Sequence, residues 1–242
     1  MARGIVGLFD GFYKCEYRVG DTVGRSVIYV SEGKMLGGNS AFAHVGTYRE
    51  EGGDIVAEVS GQRHNPDPSF PTLYGTDTAT INIRGRAQGR DAYRFEGGTS
   101  QAPGAVFRAV MTRLDEEDTQ ETGAIGAGGI VNGLYSAHLR VLDGVDGGLT
   151  GVMLLHNGRI LGGDAFFYYL GSYTSADGHW KGHLLNQEHT PATGQYPIFG
   201  GHEVGIGFSG TCGDRGAELE AIALVGKRSL RLTAILKLLE RA

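Results

Sequence analysis

Asn157-Gly158-Arg159-Ile160-Leu161-Gly162-Gly163-Asp164 is the stretch on which the fold turns. An Asn-Gly pair between apolar runs is the strongest short hairpin signal, because both central residues of the tight turn need positive φ. The Gly-Gly-Asp that follows marks a bend or bulge whose Asp side-chain oxygen caps the next turn. It lacks the lysine and serine or threonine of a P-loop and the three-glycine spacing of a dinucleotide-binding turn. The same pattern stands 125 positions earlier, as Glu32 followed by Gly33-Lys34-Met35-Leu36-Gly37-Gly38-Asn39.

Working outward, the repeat covers most of the 242 residues. Gly46/Gly171, Tyr48/Tyr173, His64/His189, Pro66/Pro191, Ile81/Ile206 and Gly85/Gly210 keep the offset of 125, whereas Gly11-Phe12-Tyr13 returns at Gly133-Leu134-Tyr135 with an offset of 122. Three residues are therefore inserted in the turn-like run 142–148, where a surface loop lengthens at little entropic cost. The copies occupy 1–118 and 132–242. Between them, 119–131 continues the acidic run from Glu116 into a Gly/Ala-rich segment that reads as an exposed, flexible linker.

Each copy reads as short strands. Val204, Ile206, Phe208 and Gly210 alternate with Gly205, Gly207 and Ser209, and Ala79, Ile81, Ile83 and Gly85 occupy the same places in copy one, which is the period of a half-buried strand. Copy one holds eight strand candidates, near 11–18, 24–31, 34–38, 43–49, 53–61, 78–86, 91–98 and 105–114. In the first, Tyr13, Cys15 and Tyr17 point inward, as do Tyr135, Ala137 and Leu139 in copy two, and Lys14, Glu16 and Arg18 point outward. The run 230–239 alternates as a strand, but Leu232, Ile235, Leu236 and Leu239 also fit a helix. Eight short antiparallel strands hide their edges by closing. The expected fold is all-β: two tandem, lipocalin-like small antiparallel barrels of about eight strands each, with an interior either filled by side chains or holding one small ligand.

The chain resembles the GrlR-like family, named for a negative regulator of bacterial type III secretion. The resemblance is carried once per copy, by the Gly-aromatic/Leu-Tyr opening strand, by Asn157 through Tyr173, and by Arg63-His64-Asn65-Pro66. It implies lipocalin-like barrels that dimerise, so that this chain is similar to two fused subunits packed as an intramolecular pseudo-dimer. It also implies a non-catalytic regulator whose acidic loop binds a protein partner, a transcriptional regulator. The matching loop places Glu50, Glu51 and Asp54 in that role, and its counterpart Thr174–His179 keeps one carboxylate, Asp177.

Composition narrows the classes. A chain 40% hydrophobic and 20% charged is neither disordered nor collagen-like, and 42 glycines against 6 prolines suit tight turns and twisted strands. A net charge of −5 argues against nucleic acid. Arg84, Arg86, Arg90 and Arg94 form a local basic cluster, but copy two lacks it and no aromatic side chains are interleaved. No window reaches the ~20 apolar residues of a spanning helix, so no membrane role is expected. Two distant cysteines and the absence of a signal-peptide core fit a cytoplasmic protein.

No cofactor, metal or catalytic residue is expected. His179, His183 and His189, with Asp54, Glu58 and His64 at the same offsets, invite a metal, but strand positions four apart lie ~13 Å from each other along one face. His64 and His189, each two residues before a proline, either present a titratable imidazole at a barrel mouth or bond backbone groups freed where the strand ends. Phe166-Phe167-Tyr168-Tyr169 either packs the core or lines a cavity. Phe42 and Phe167 share a register, as do His44 and Tyr169. Cys15 reads as a small buried hydrophobe. The first functional reading is therefore a cytosolic regulator or adaptor acting through protein binding. The alternative is a carrier or sensor of a small apolar ligand, with Tyr13, Tyr17, Phe42, Tyr135, Phe167 and Tyr169 as its contacts, and a hollow interior of at least ~300 Å³ as its requirement.

Overall fold

The computed structural model describes residues 9–114, 122–142, 148–192, 199 and 203–242. It is all-β, with no helix among the described residues. Copy one contributes β1 (Gly11–Val19), β2 (Thr22–Ser31), β3 (Lys34–Gly38), β4 (Phe42–Glu51), β5 (Asp54–Arg63), β6 (Thr78–Ala87), β7 (Ala92–Gly98) and β8 (Phe107–Arg113). Copy two contributes β9 (Gly133–Val141), β10 (Gly148–His156), β11 (Arg159–Gly163), β12 (Phe167–Ala176), β13 (His179–Glu188), β14 (Val204–Gly213), β15 (Gly216–Val225) and β16 (Arg228–Arg241). Each set is an antiparallel meander whose last strand pairs with its first, giving two closed barrels. All eight strands expected in copy one form. The ambiguous C-terminal run is a strand: Leu232, Ala234 and Leu236 are buried while Ile235 is half exposed, so period two prevails over the helical spacing.

The repeat governs register as well as sequence. Gly11 pairs with Val30 and Gly133 with Leu155, which are equivalent positions once the three inserted residues are allowed for. Of the run 142–148 that holds the insertion, 143–147 lie outside the described residues. Asn157 and Gly158 have φ of 50° and 81°, and Glu32 and Gly33 have the same two values, so both hairpins use the positive-φ turn that Asn-Gly encodes.

Alternation fills each barrel. Tyr13, Cys15 and Tyr17 are buried in the first interior and Tyr135 and Ala137 in the second, with Leu139 packed against that core. A third apolar cluster lies between the barrels, where Phe12, Val27, Leu36 and Ala43 meet Leu134, Val152, Leu154, Leu161 and Leu170. These side chains sit on faces that strict alternation would leave wet. Burying each large one is worth roughly 1.5–3 kcal/mol, so the barrels pack as one body. The contact has an internal two-fold character. A Cβ on Gly38 would stand 2.9 Å from Val152 Cγ1, and one on Gly163 would stand 3.1 Å from Val27 Cγ1. The Gly-Gly pairs thus do more than turn the chain, since they admit the opposite barrel's valine.

The glycine-rich segment between the copies departs from the expected flexible linker. Residues 119–121 lie outside the described residues, but from Gly123 onward the backbone is hydrogen-bonded to copy two. Gly126 N–H donates to Ser175 O at 2.7 Å, Ser175 N–H to Ala124 O at 3.0 Å, Asp177 N–H to Ala127 O at 2.8 Å and Gly178 N–H to Gly128 O at 2.9 Å. Ile130 is buried, its N–H held by Ser175 Oγ at 2.7 Å. The segment is largely exposed, as expected, yet it lies along the β12–β13 hairpin because its lack of side chains lets two backbones meet.

Candidate ligand cavities

Both barrels are hollow at one end. Cavity one has a volume of about 330 Å³ and cavity two about 290 Å³. Their walls are mostly apolar: Ile28, Met35, Val59 and Phe107 in the first, and Met153, Leu184, Ile206 and Phe208 in the second.

The polar groups of each cavity gather where the third strand turns into the fourth. In copy one Asn39 Oδ1 accepts from the N–H groups of Ala41 at 3.0 Å and Phe42 at 2.9 Å, capping the bend. Its Nδ2 donates to Tyr17 Oη at 3.1 Å and to Arg25 O at 2.9 Å. The Tyr17 ring stacks on Phe107 with centroids 5.8 Å apart and meets His44 edge-on at the same distance. Burial, with a smaller contribution from His64, lowers the His44 imidazole to about 4, so it is neutral near pH 7. Cys15 faces the same space. Burial pushes its thiol up to about 12, which removes the thiolate a nucleophile needs.

Copy two has the same frame with a charge in it. Asp164 Oδ1 accepts from Phe166 N–H at 2.7 Å and Phe167 N–H at 2.9 Å, repeating the cap of Asn39. Among the described residues its Oδ2 receives only a long contact, 3.5 Å, from the Tyr169 hydroxyl. Burial raises the Asp164 carboxyl to about 6 against the pull of the two backbone N–H groups. Burial raises the Tyr169 phenol as well, and the nearby carboxylate adds to the effect. Asn186, directly across the β12–β13 pair from Tyr169, is buried and lines the cavity, and its Nδ2 has no hydrogen-bond partner among the described residues. Tyr169 occupies room left by Gly151, where a Cβ would come within 3.0 Å of its hydroxyl. The corresponding residue in copy one is Ser26, set opposite Cys15.

Each cavity is also walled by the other copy. Ala165 and Phe166 reach cavity one, and Ser40, Asp67, Ser69 and Phe70 reach cavity two; Ser69, Phe70 and Phe166 border both. Polar contacts fix this arrangement. Asn65 Nδ2 donates to Thr150 Oγ1 at 3.0 Å, Thr150 Oγ1 donates to Ser40 O at 2.8 Å, and Lys14 Nζ donates to His189 O at 3.1 Å. His64 and His189 play the backbone role foreseen for them. Their N–H groups donate to Ala41 O and Phe166 O, both at 2.8 Å, and each ring Nε2 lies by the carbonyl of its capping residue, at 3.0 Å from Asn39 O and 3.4 Å from Asp164 O.

Of the six expected ligand contacts, Tyr17, Phe42, Phe167 and Tyr169 line cavities. Tyr13 and Tyr135 do not. Tyr13 packs among Phe9 and Tyr93 with its hydroxyl donating to Phe9 O at 2.9 Å, and Tyr135 donates to Val131 O at 2.7 Å. Both point inward as alternation requires, but into the filled region of each barrel. Ser26, Asn39, His44, Asp164 and Asn186 are the polar contacts missed in that assignment. The shared register of His44 with Tyr169 was the signal for one of them, and the Asn39/Asp164 difference within an otherwise matching block was the signal for another.

The acidic loop is already engaged within the chain. Glu51 pairs with Arg49 at 2.7 Å and Arg84 at 2.9 Å, while Asp54 pairs with Arg84 at 2.8 Å and with Arg86. Those arginines, Arg86 foremost, hold the Asp54 carboxyl down to about 2. Glu50 is exposed. The basic cluster and the acidic loop thus share an ion-pair network through Arg84 and Arg86, a pairing made by β5 lying beside β6. Elsewhere, His179 and His183 are exposed on β13 while His189 lies beyond its end, and among the described residues no three His, Cys, Asp or Glu side chains gather to hold a metal.

No family model matches this chain, and no curated protein matches it. Among solved structures it is similar to a crystal structure described as a "putative outer membrane protein" from Bacteroides fragilis, at 9% identity over 95% of this chain and 96% of that one, with a TM-score of 0.24. Among the described residues no helix is long and apolar enough to cross a membrane.

Proposed function

We propose that this chain is a two-site binding protein in which each barrel takes one small, mostly apolar molecule. The observation that carries this reading is the pair of interior cavities, the first of about 330 Å³, above the ~300 Å³ a ligand pocket needs, and the second of about 290 Å³, just under it. Each combines apolar walls with a few polar side chains gathered on one side, the arrangement that orients a ligand within an otherwise greasy pocket. The two free cysteines fit a reducing, cytoplasmic setting. The regulatory reading implied by the family resemblance comes second, because Glu51 and Asp54 already have arginine partners within the chain.

The test is a fluorescence titration with N-phenyl-1-naphthylamine, an apolar dye that brightens in dry cavities. The expected result is two binding events per chain. Ala109→Phe, which fills cavity one, and Ala234→Phe, which fills cavity two, should each remove one event while the far-ultraviolet circular dichroism stays that of a β-barrel. Absence of dye binding, or binding unchanged in both variants, rejects the reading.

A further inference from the structure

Building on the two-site reading, we propose that cavity two selects a ligand whose apolar body carries a protonated amine, whereas cavity one takes a neutral molecule. The comparison between the copies isolates the reason. Asn39 and Asp164 stand at equivalent positions and perform the same cap through Oδ1 on two backbone N–H groups. A neutral amide is sufficient for that job, so the cap does not account for the negative charge at Asp164.

The second oxygen tells the two sites apart. Asn39 uses its remaining amide group fully, donating to Tyr17 Oη and Arg25 O. Among the described residues Asp164 Oδ2 has only the 3.5 Å contact with Tyr169, and no lysine, arginine or histidine forms an ion pair with it. A buried carboxylate without a cation is costly, and such groups are ordinarily paired. An ammonium group entering the cavity completes the pair with a short charge-assisted hydrogen bond. A second, independent observation places polar recognition in the same cavity. The Asn186 side chain, 3% exposed, lines this cavity opposite Tyr169, and its Nδ2 has no partner among the described residues. At the equivalent place copy one has Gly61, where an added Cβ meets nothing closer than 3.8 Å, so that polar group is peculiar to cavity two. A primary amine bearing a nearby acceptor, such as a hydroxyl or carbonyl oxygen, satisfies both Asp164 and Asn186.

Isothermal titration calorimetry with three probes of similar shape tests this: 2-phenylethylamine as the cation, 2-phenylethanol as the neutral analogue and 3-phenylpropionate as the anion. Ala109→Phe leaves cavity two open, and there the amine should bind at least ten-fold more tightly than the alcohol, with the carboxylate weakest. Asp164→Asn keeps the cap, as Asn39 does, and should abolish the preference for the amine over the alcohol. In Ala234→Phe, where cavity one alone is open, the amine should show no advantage until Asn39→Asp is added. Equal binding of amine and alcohol in Ala109→Phe, or an amine preference that survives Asp164→Asn, overturns the amine assignment while alcohol binding upholds the two-site reading. If none of the probes binds and the dye titration also fails, the two-site reading itself falls.

Discussion

At the residue scale, the buried ionisable groups act on stability in opposite directions. His44 and His189 are each lowered to about 4 by burial from an ordinary 6.5. Below pH 6.5 the unfolded chain therefore binds more protons, and the stability these residues contribute is present above that value and lost as pH falls toward 4. His189 is faced by Lys14, Arg25 and Glu188 and by the backbone of Asp164, and His44 by His64. Asp164, raised to about 6 from an ordinary 3.8, runs the other way: the folded state holds its proton longer, so stability falls as pH rises through that window. Melting temperatures measured from pH 7 to pH 4 should therefore decline overall. His189→Gln should reduce the acid loss by on the order of 2 kcal/mol, and Asp164→Asn should deepen it by removing the opposing effect. An acid decline unchanged in both variants contradicts these assignments.

At the scale of elements, the segment laid on the β12–β13 hairpin depends on Gly123, whose N–H donates to Gly158 O at 3.1 Å. A Cβ there would run into the backbone carbonyl of Tyr173. Gly123→Ala should cost about 1–3 kcal/mol by overpacking and should open 122–131 to limited proteolysis. Cleavage no faster than in the parent chain would show that the segment is not held in this way. Most strands and hairpins were legible in the sequence because their signals are local: Asn157-Gly158 sets its own turn, and Val204, Ile206 and Phe208 state their own face. The docking of this segment was not legible. A run of glycines and alanines reports that side chains are missing, and whether another backbone fills the space depends on a partner some fifty residues away in sequence, as Gly126 and Ser175 illustrate. The cavities were half legible for a similar reason. Period two put Tyr13 and Tyr17 on one inner face, but it does not say at which level along the barrel the side chains stop filling the interior.

For the whole molecule, the apolar cluster between the barrels makes a quantitative demand. Phe12 is 1% exposed and its ring lies 6.3 Å from that of Tyr168 across the interface. Phe12→Ala should destabilise the chain by about 3–5 kcal/mol, whereas Lys14→Ala, which removes a half-buried bond to His189 O, should cost about 1 kcal/mol. Denaturant unfolding checks both, and comparable losses would mean that the polar links rather than the apolar face hold the pair. Alternation along β1 foresaw the inward Tyr13 and said nothing of Phe12 one residue earlier. Two barrels packed as a pair were expected without the residues that join them, and the reciprocal fit of Val27 against Gly163 and Val152 against Gly38 supplies those residues.

The covalent joining of the two barrels has one more result. Where identical subunits assemble around a symmetry axis, any substitution is made twice, and a carboxylate set into one hollow is set into its symmetry-related counterpart too. Here each half is encoded separately, so position 164 is acidic while position 39 is a neutral amide. Fusion thus turns a symmetric architecture into one whose two hollows are free to differ.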